Sequence, residues 1–222
     1  MMMNSAMQKT GQTTGFDISQ LVDDLKPVRP LRTGKAIVVA VAITAALVAG
    51  IVGLIGLRAD VAAGLPDPMF LIRTGVLGLL GLATGHTVLS MATPSVGKHN
   101  LGWYWALGAA LVFPAAGLIL LSLGAEHQAF SMAKYGAECL RWSAAGAIVT
   151  AIPMVYWLRQ GAPTSPERAG WLTGLASGGL GAFAFNFHCT FNDIIYIGFW
   201  YGLAVAGCAV AGRLIVPSLI RW

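Results

Sequence analysis

Two cysteines carry the sharpest chemical signal in this 222-residue sequence. Cys139 sits in Lys134-Tyr-Gly-Ala-Glu-Cys-Leu-Arg141, and Cys189 in Phe187-His-Cys-Thr-Phe-Asn-Asp193. Each lies beside an apolar run, and the two belong to different hairpins at a similar expected depth. Three chemistries are open to such a pair. The thiols could join as a disulfide if the backbone brings them within reach. They could hold a soft or borderline metal ion, with His188, Glu138, Glu126, His127 and Asp193 in the same layer as imidazole and carboxylate ligands. They could also be inert. Cys208 lies inside the last apolar run and reads as a packing residue. The sequence has no C-x-x-C pair, which weighs against a membrane thiol oxidoreductase.

The elements that must position these thiols are membrane helices. Hydrophobic residues make up 56% of the chain and charged residues 10%, against about 25% charged in a soluble globular domain. Too little polar surface remains to face water, so the expected solvent is a bilayer. Six apolar stretches follow in order: Ala36 to Leu57, Met69 to Met91, Trp103 to Gly124, Trp142 to Leu158, Ala169 to Phe187 and Ile194 to Val216. The first, at 1.5 Å per residue, covers about 33 Å, enough for a hydrocarbon core of about 30 Å. The first 35 residues are polar and the first apolar run is too long for a cleaved leader, so that run reads as a signal anchor. The expected fold is therefore an all-α, polytopic protein of six transmembrane helices. Residues 1–35 would form a cytoplasmic segment, and residues 36–222 the membrane domain.

Orientation follows from the basic residues, which are retained on the cytoplasmic side. With the N-terminus inside, that side holds Lys9, Lys26, Arg29, Arg32, Lys35, Lys98, Arg159, Arg168, Arg213 and Arg221. The outer side keeps Arg58, Arg73, Lys134 and Arg141. Both termini are thus expected in the cytoplasm, with Cys139 and Cys189 on the outer face. The net charge of +5 flanks the apolar runs instead of forming one stripe, so nucleic acid is not an expected partner. Gly81 and Gly85, Gly170, Gly174 and Gly178, and Gly198 and Gly202 are spaced to let helices pack closely. A solute transporter would be expected to carry ionisable groups near the midplane, and the runs offer only His86, with Arg73 near an end.

Ahead of the first run, Ile18, Leu21, Val22 and Leu25 fall at i, i+3, i+4 and i+7, one stripe of a short helix. Thr14 and Asp17 resemble a capping box at its start, and Pro27 stops it. About ten residues are too few for a stable isolated helix, so the stripe must dock. Asp17, Asp23 and Asp24 oppose docking on an anionic leaflet, which favours a groove on a cytosolic protein.

The acidic amphipathic N-terminal helix, the Asp23-Asp-Leu-Lys-Pro-Val-Arg-Pro-Leu31 exit and the six short-looped spans combine with a cysteine early in span four. Together with the closing His188-Cys189-x10-Trp200-Tyr201-Gly202 and the basic Arg221-Trp222 end, they resemble the NrsF-type family of membrane anti-sigma factors. Pro68 with Arg73 at the head of span two fits as well. The resemblance implies a multi-pass inner-membrane regulator, not an enzyme, whose partner is an extracytoplasmic-function sigma factor. On that reading Asp17, Ile18, Leu21, Val22, Asp23, Asp24 and Leu25 contact the sigma factor. Cys139 and Cys189, with His188 beside them, would sense metal or oxidative stress on the periplasmic side, with no cofactor beyond a transient metal ion at the thiols.

Overall fold

The computed structural model describes residues 31, 33–93, 102–124 and 133–221. The stripe from Ile18 to Leu25 and the outer pair Glu126 and His127 lie outside the described residues. Within them the chain is all helical: α1 (Thr33–Ile55), α2 (Ala59–Ala62), α3 (Pro68–Met91), α4 (Gly102–Ser122), α5 (Ala133–Gln160), α6 (Pro166–Asn186) and α7 (Ile194–Ile220). Three starts are written locally. Pro68 opens α3 while the Asp67 carboxylate accepts from Met69 N at 2.7 Å, Pro166 opens α6 behind Ser165, and Asp193 caps Ile195 N at 3.0 Å.

Five of these helices, α1, α3, α4, α5 and α7, are long and apolar enough to cross a membrane. The expected fifth span, α6, has the length at 21 residues, about 31 Å at 1.5 Å per residue, but not the hydropathy. The reason is its place in the bundle. It runs antiparallel to α3, α5 and α7 and is buried among them along most of its length. Small residues let those backbones close in. Gly146 of α5 would carry its Cβ 3.0 Å from Gly181 Cα, and Gly170 would carry its Cβ 2.7 Å from Gly212 O of α7. The remaining helices wrap this axis and turn large apolar residues outward, among them Leu54, Leu71, Leu118, Ile152 and Leu214. The glycines singled out in α3, α6 and α7 thus serve contacts within the chain.

One boundary differs from expectation. The fourth span was expected to begin at Trp142, but α5 begins at Ala133, so Cys139 stands on the helix and not in a loop at its mouth. Hydropathy missed these turns because Lys134, Glu138 and Arg141 interrupt the apolar run. They sit on exposed or half-buried positions, with Arg141 3.9 Å from Glu138, while Gly136 and Cys139 are buried. Two apolar cores fill the bundle. One gathers Leu77, Leu80, Phe185, Ile195, Tyr201 and both thiols; the other, at the opposite end, gathers Val88, Met154, Leu158, Ala169 and Val216.

Candidate functional site

Between α6 and α7 the chain leaves helical bonding for several residues, and each buried carbonyl there needs a donor. Two arginines supply them. Arg58 follows Gly56, whose φ of +93° turns the chain out of α1 in a conformation that glycine tolerates. Arg58 accordingly reaches back over the α6–α7 turn. Its Nη1 donates to Cys189 O at 2.5 Å, both Nη groups lie 3.3 and 3.4 Å from Asn192 Oδ1, and its backbone N donates to Phe187 O at 3.0 Å. Arg73 reaches the same turn from α3. Its Nη2 donates to Cys189 O at 3.0 Å and its Nη1 to Phe191 O at 2.7 Å. A single carbonyl, that of the thiol-bearing residue, therefore receives two guanidinium ions.

The two arginines differ in how their charge is met. Arg58 is forked onto Asp60, with Nε to Oδ1 at 2.9 Å and Nη2 to Oδ2 at 2.8 Å. That hydrogen-bonded guanidinium is the main reason the Asp60 carboxyl lies well below the usual carboxylate range, and the Asp67 N–H, 3.1 Å from Oδ2, acts in the same direction. Arg73 is fully buried and has no carboxylate partner among the described residues. Its charge is shared between two carbonyls and the face of Tyr201, 5.1 Å from the ring centre.

The structure brings Cys139 and Cys189 into one buried cluster, both as free thiols. Both are buried beneath the arginine-held turn. Cys139 stands within interaction range of Cys189, Ser143, Arg73 and Tyr201, and Tyr196 and Tyr201 share the buried cluster with both thiols. The Ser143 and Tyr201 hydroxyls stand against the Cys139 thiol, and Arg73 Nε and Tyr196 OH are buried without a hydrogen-bond partner among the described residues.

His188 is held elsewhere. Its Nδ1 lies 3.0 Å from Gly56 O and its ring packs on Phe185 at 5.7 Å; since a carbonyl only accepts, this contact places the proton on Nδ1. Glu138 faces Arg141, and Asp193 is spent on its cap. Among the described residues no three His, Cys, Asp or Glu side chains converge on one point. The nearest full charges to the thiols are cationic, so these residues fit a resident divalent metal poorly. Cys208 packs its side chain at Gly178 of α6, within a helix interface. Residue type and spacing alone do not point to Arg58 or to the Tyr196 and Tyr201 hydroxyls at this turn. A charged residue five positions into an apolar run was the available signal for Arg73.

The architecture and site together define a class: a bundle of helices of membrane-crossing length and composition, built around a buried thiol pair. Residues 21–222 match the family NrsF, described as negative regulator of sigma F. The anti-sigma-F factor NrsF of Caulobacter vibrioides is 31% identical over 193 residues, covering 80% of this chain and 88% of the relative. The probable anti-sigma-F factor NrsF of Azospira oryzae is 27% identical over 179 residues, covering 76% and 80%. No solved structure matches the chain. The chain belongs to the NrsF family of negative regulators of sigma F.

Proposed function

We propose that the protein is a membrane anti-sigma factor that holds an extracytoplasmic-function sigma factor at the inner membrane and frees it when its thiol pair is modified. The observation that carries the regulatory reading is the match to two anti-sigma-F factors over most of the chain. The role is one of sequestration and not of catalysis. The cytoplasmic segment 1–35 binds the sigma factor through Ile18, Leu21, Val22 and Leu25, with Asp17, Asp23 and Asp24 around that face.

The membrane domain crosses six times with both termini in the cytoplasm. Supporting this, α6 matches a span in length and lies antiparallel to three helices of span type, so its low hydropathy reflects enclosure by protein. The excess of basic residues in the segments placed inside sets the direction. Cys139 and Cys189 then lie at the periplasmic end and respond to metal or oxidative stress, and His188 anchors the turn that covers them. Supporting a joint role, both thiols share one core beneath a turn that two arginines tie to α3 and to the end of α1.

A fusion carrying residues 1–35 tests the partner, and a sigma-dependent reporter tests the thiols. The fusion should capture the sigma factor, and Leu21→Asp with Leu25→Asp should abolish capture. Cys139→Ser and Cys189→Ser should each block induction with capture retained, and the double variant should add nothing further. Undiminished capture by the aspartate variant would move the interface elsewhere. Normal induction in the double serine variant would remove the thiols from the mechanism.

A further inference from the structure

We propose that the slot between α4 and the α6–α7 pair binds an anionic phospholipid, with an acyl chain along its length and the phosphate at Arg168. No cysteine lines the slot, and its occupant is independent of the sigma-factor reading.

The slot follows from where α4 meets the bundle. α4 closes on α7 at Phe113 and Pro114, where a Cβ at Gly198 would lie 2.5 Å from Phe113 O and one at Gly202 3.0 Å from Pro114 Cγ. Toward the start of α4, Leu107 and Leu111, with Ala206 and Val210 of α7, wall a cavity of about 1760 Å³ that α3 and α6 help to line. Sites for compact small molecules hold about 300–1,000 Å³. α4 lines the cavity from Tyr104 to Leu121, about 26 Å at 1.5 Å per residue, against about 30 Å for a hydrocarbon core. That length, beside exposed Leu111, Leu203 and Val210, suits an extended hydrocarbon chain entering from the bilayer.

Polarity is graded along the slot. Pro114, Leu118, Leu121 and Phe199 line one end, whereas Thr87, Ser90, Thr164, Ser165 and Arg168 gather at the other. Tyr104 and Trp171, both exposed, stand at this polar end, where amphipathic rings settle at the level of lipid headgroups. The occupant must therefore carry a long apolar chain and a polar head.

Charge selects the head. Arg168 is the one formal charge among the described residues lining the slot, and no carboxylate joins it there. Its neighbour Glu167 is taken by Arg213 at 2.9 Å, which leaves Arg168 exposed and without an ion pair among the described residues. A guanidinium at a membrane surface attracts a lipid phosphate and can meet two of its oxygens. His86 of α3 also lines the slot, exposed and without a hydrogen-bond partner among the described residues. It lies five residues inside the end of α3, about 8 Å, at a depth where a lipid ester carbonyl can accept from its ring. On the topology proposed above, the polar end faces the cytoplasm, whose leaflet is anionic.

Native mass spectrometry of the delipidated full-length chain tests this with phosphatidylglycerol and phosphatidylethanolamine of identical chains. The first phosphatidylglycerol should bind more tightly than the first phosphatidylethanolamine. Arg168→Gln should weaken phosphatidylglycerol by about fivefold, the effect of one basic residue beside an anionic surface, and barely change phosphatidylethanolamine. Arg159→Gln, exposed at the same end but outside the slot, should change neither. Ala206→Trp fills the slot from an exposed position and should remove the tight lipid, whereas Ala115→Trp, exposed on α4 outside the slot, should not. Melting curves show whether each variant is folded, and the surface change at Arg168 decides the matter should the tryptophan unfold the chain. Phosphatidylglycerol binding that Arg168→Gln leaves intact would overturn the proposal, as would tight lipid retained by a folded Ala206→Trp protein. So would displacement by inorganic phosphate alone, which would make the ligand a soluble anion. Lipid uptake confined to the Leu21→Asp, Leu25→Asp chain would assign the slot to the N-terminal helix instead, and a dimer lost on Ala206→Trp would assign it to a second copy.

Discussion

Replacing Gly212 with alanine tests the close approach of α6 and α7. A Cβ at Gly212 would lie 2.5 Å from Gly170 O and 2.8 Å from both Gly174 Cα and Gly174 N, where ordinary contact begins near 3.4 Å. The shortest of these falls 3.4 − 2.5 = 0.9 Å short. All three opposing atoms are backbone, so no side-chain rotation relieves the clash, and the helices must part or roll. Overpacking of this kind costs about 1–3 kcal/mol, placed here at the upper end because backbone must move. Against it stands a gain of up to about 1 kcal/mol from alanine over glycine in a helix interior. The net is a loss of about 1–2 kcal/mol, which for a domain of this size lowers the melting midpoint by about 2–8 °C. Thermal unfolding of the purified protein, followed by helical circular dichroism, measures it. Gly207→Ala is the internal control, because nothing lies within 4 Å of a Cβ at that position on the same helix; there only the propensity gain remains, and the midpoint should hold or rise. A Gly212→Ala protein that melts with the Gly207→Ala protein would refute the argument that backbone contact at this crossing requires glycine.

Three further outcomes follow from other contacts. Asp60 is held below its usual range in the folded protein, so its ionised form contributes stability above its unfolded value of about 3.9, and that contribution is lost only as pH falls through the lower folded value. The stability gap between wild type and Asp60→Asn should therefore stay level from neutrality to about pH 4 and close below it, as read from melting curves across pH; a gap closing between pH 7 and 5 would exclude the Arg58 pair as its source. Trp157 Nε1 donates to Leu89 O at 3.1 Å, tying α5 to α3, and Trp157→Phe should cost about 1 kcal/mol in the same melts, whereas Tyr156→Phe on the exposed side should cost little. In a cysteine-free background, Thr190→Cys should label from outside intact cells and Ala162→Cys should not, both positions being exposed; labelling of Ala162→Cys alone would invert the proposed topology.

Helices of membrane length and the shared layer of the two cysteines were legible from residue types and spacing, because apolar run length fixes the first and hairpin alternation the second. The start of α5 was not, since Lys134, Glu138 and Arg141 break the apolar run yet sit on its exposed or half-buried positions while Cys139 points inward. The grip of Arg58 and Arg73 was hidden for a different reason. Their acceptors are backbone carbonyls 131 and 116 residues away, and a carbonyl has no residue type to read. His188 looked like a ligand because it neighbours Cys189 in sequence, but successive residues in a turn point different ways, and its ring is anchored on Gly56 O.

The enclosure of α6 bears on how the chain enters a bilayer. Its glycines, alanines, serines and threonines gain little from lipid by themselves, whereas α1, α3, α4 and α7 each carry enough large side chains to partition one at a time. A favourable setting for α6 exists only once α5 and α7 stand beside it. On the six-span reading proposed above, insertion of this segment would be a collective event that waits for the following helix. A nascent chain arrested soon after Asp193 would hold α6 outside the hydrocarbon, waiting for the helix that completes its walls.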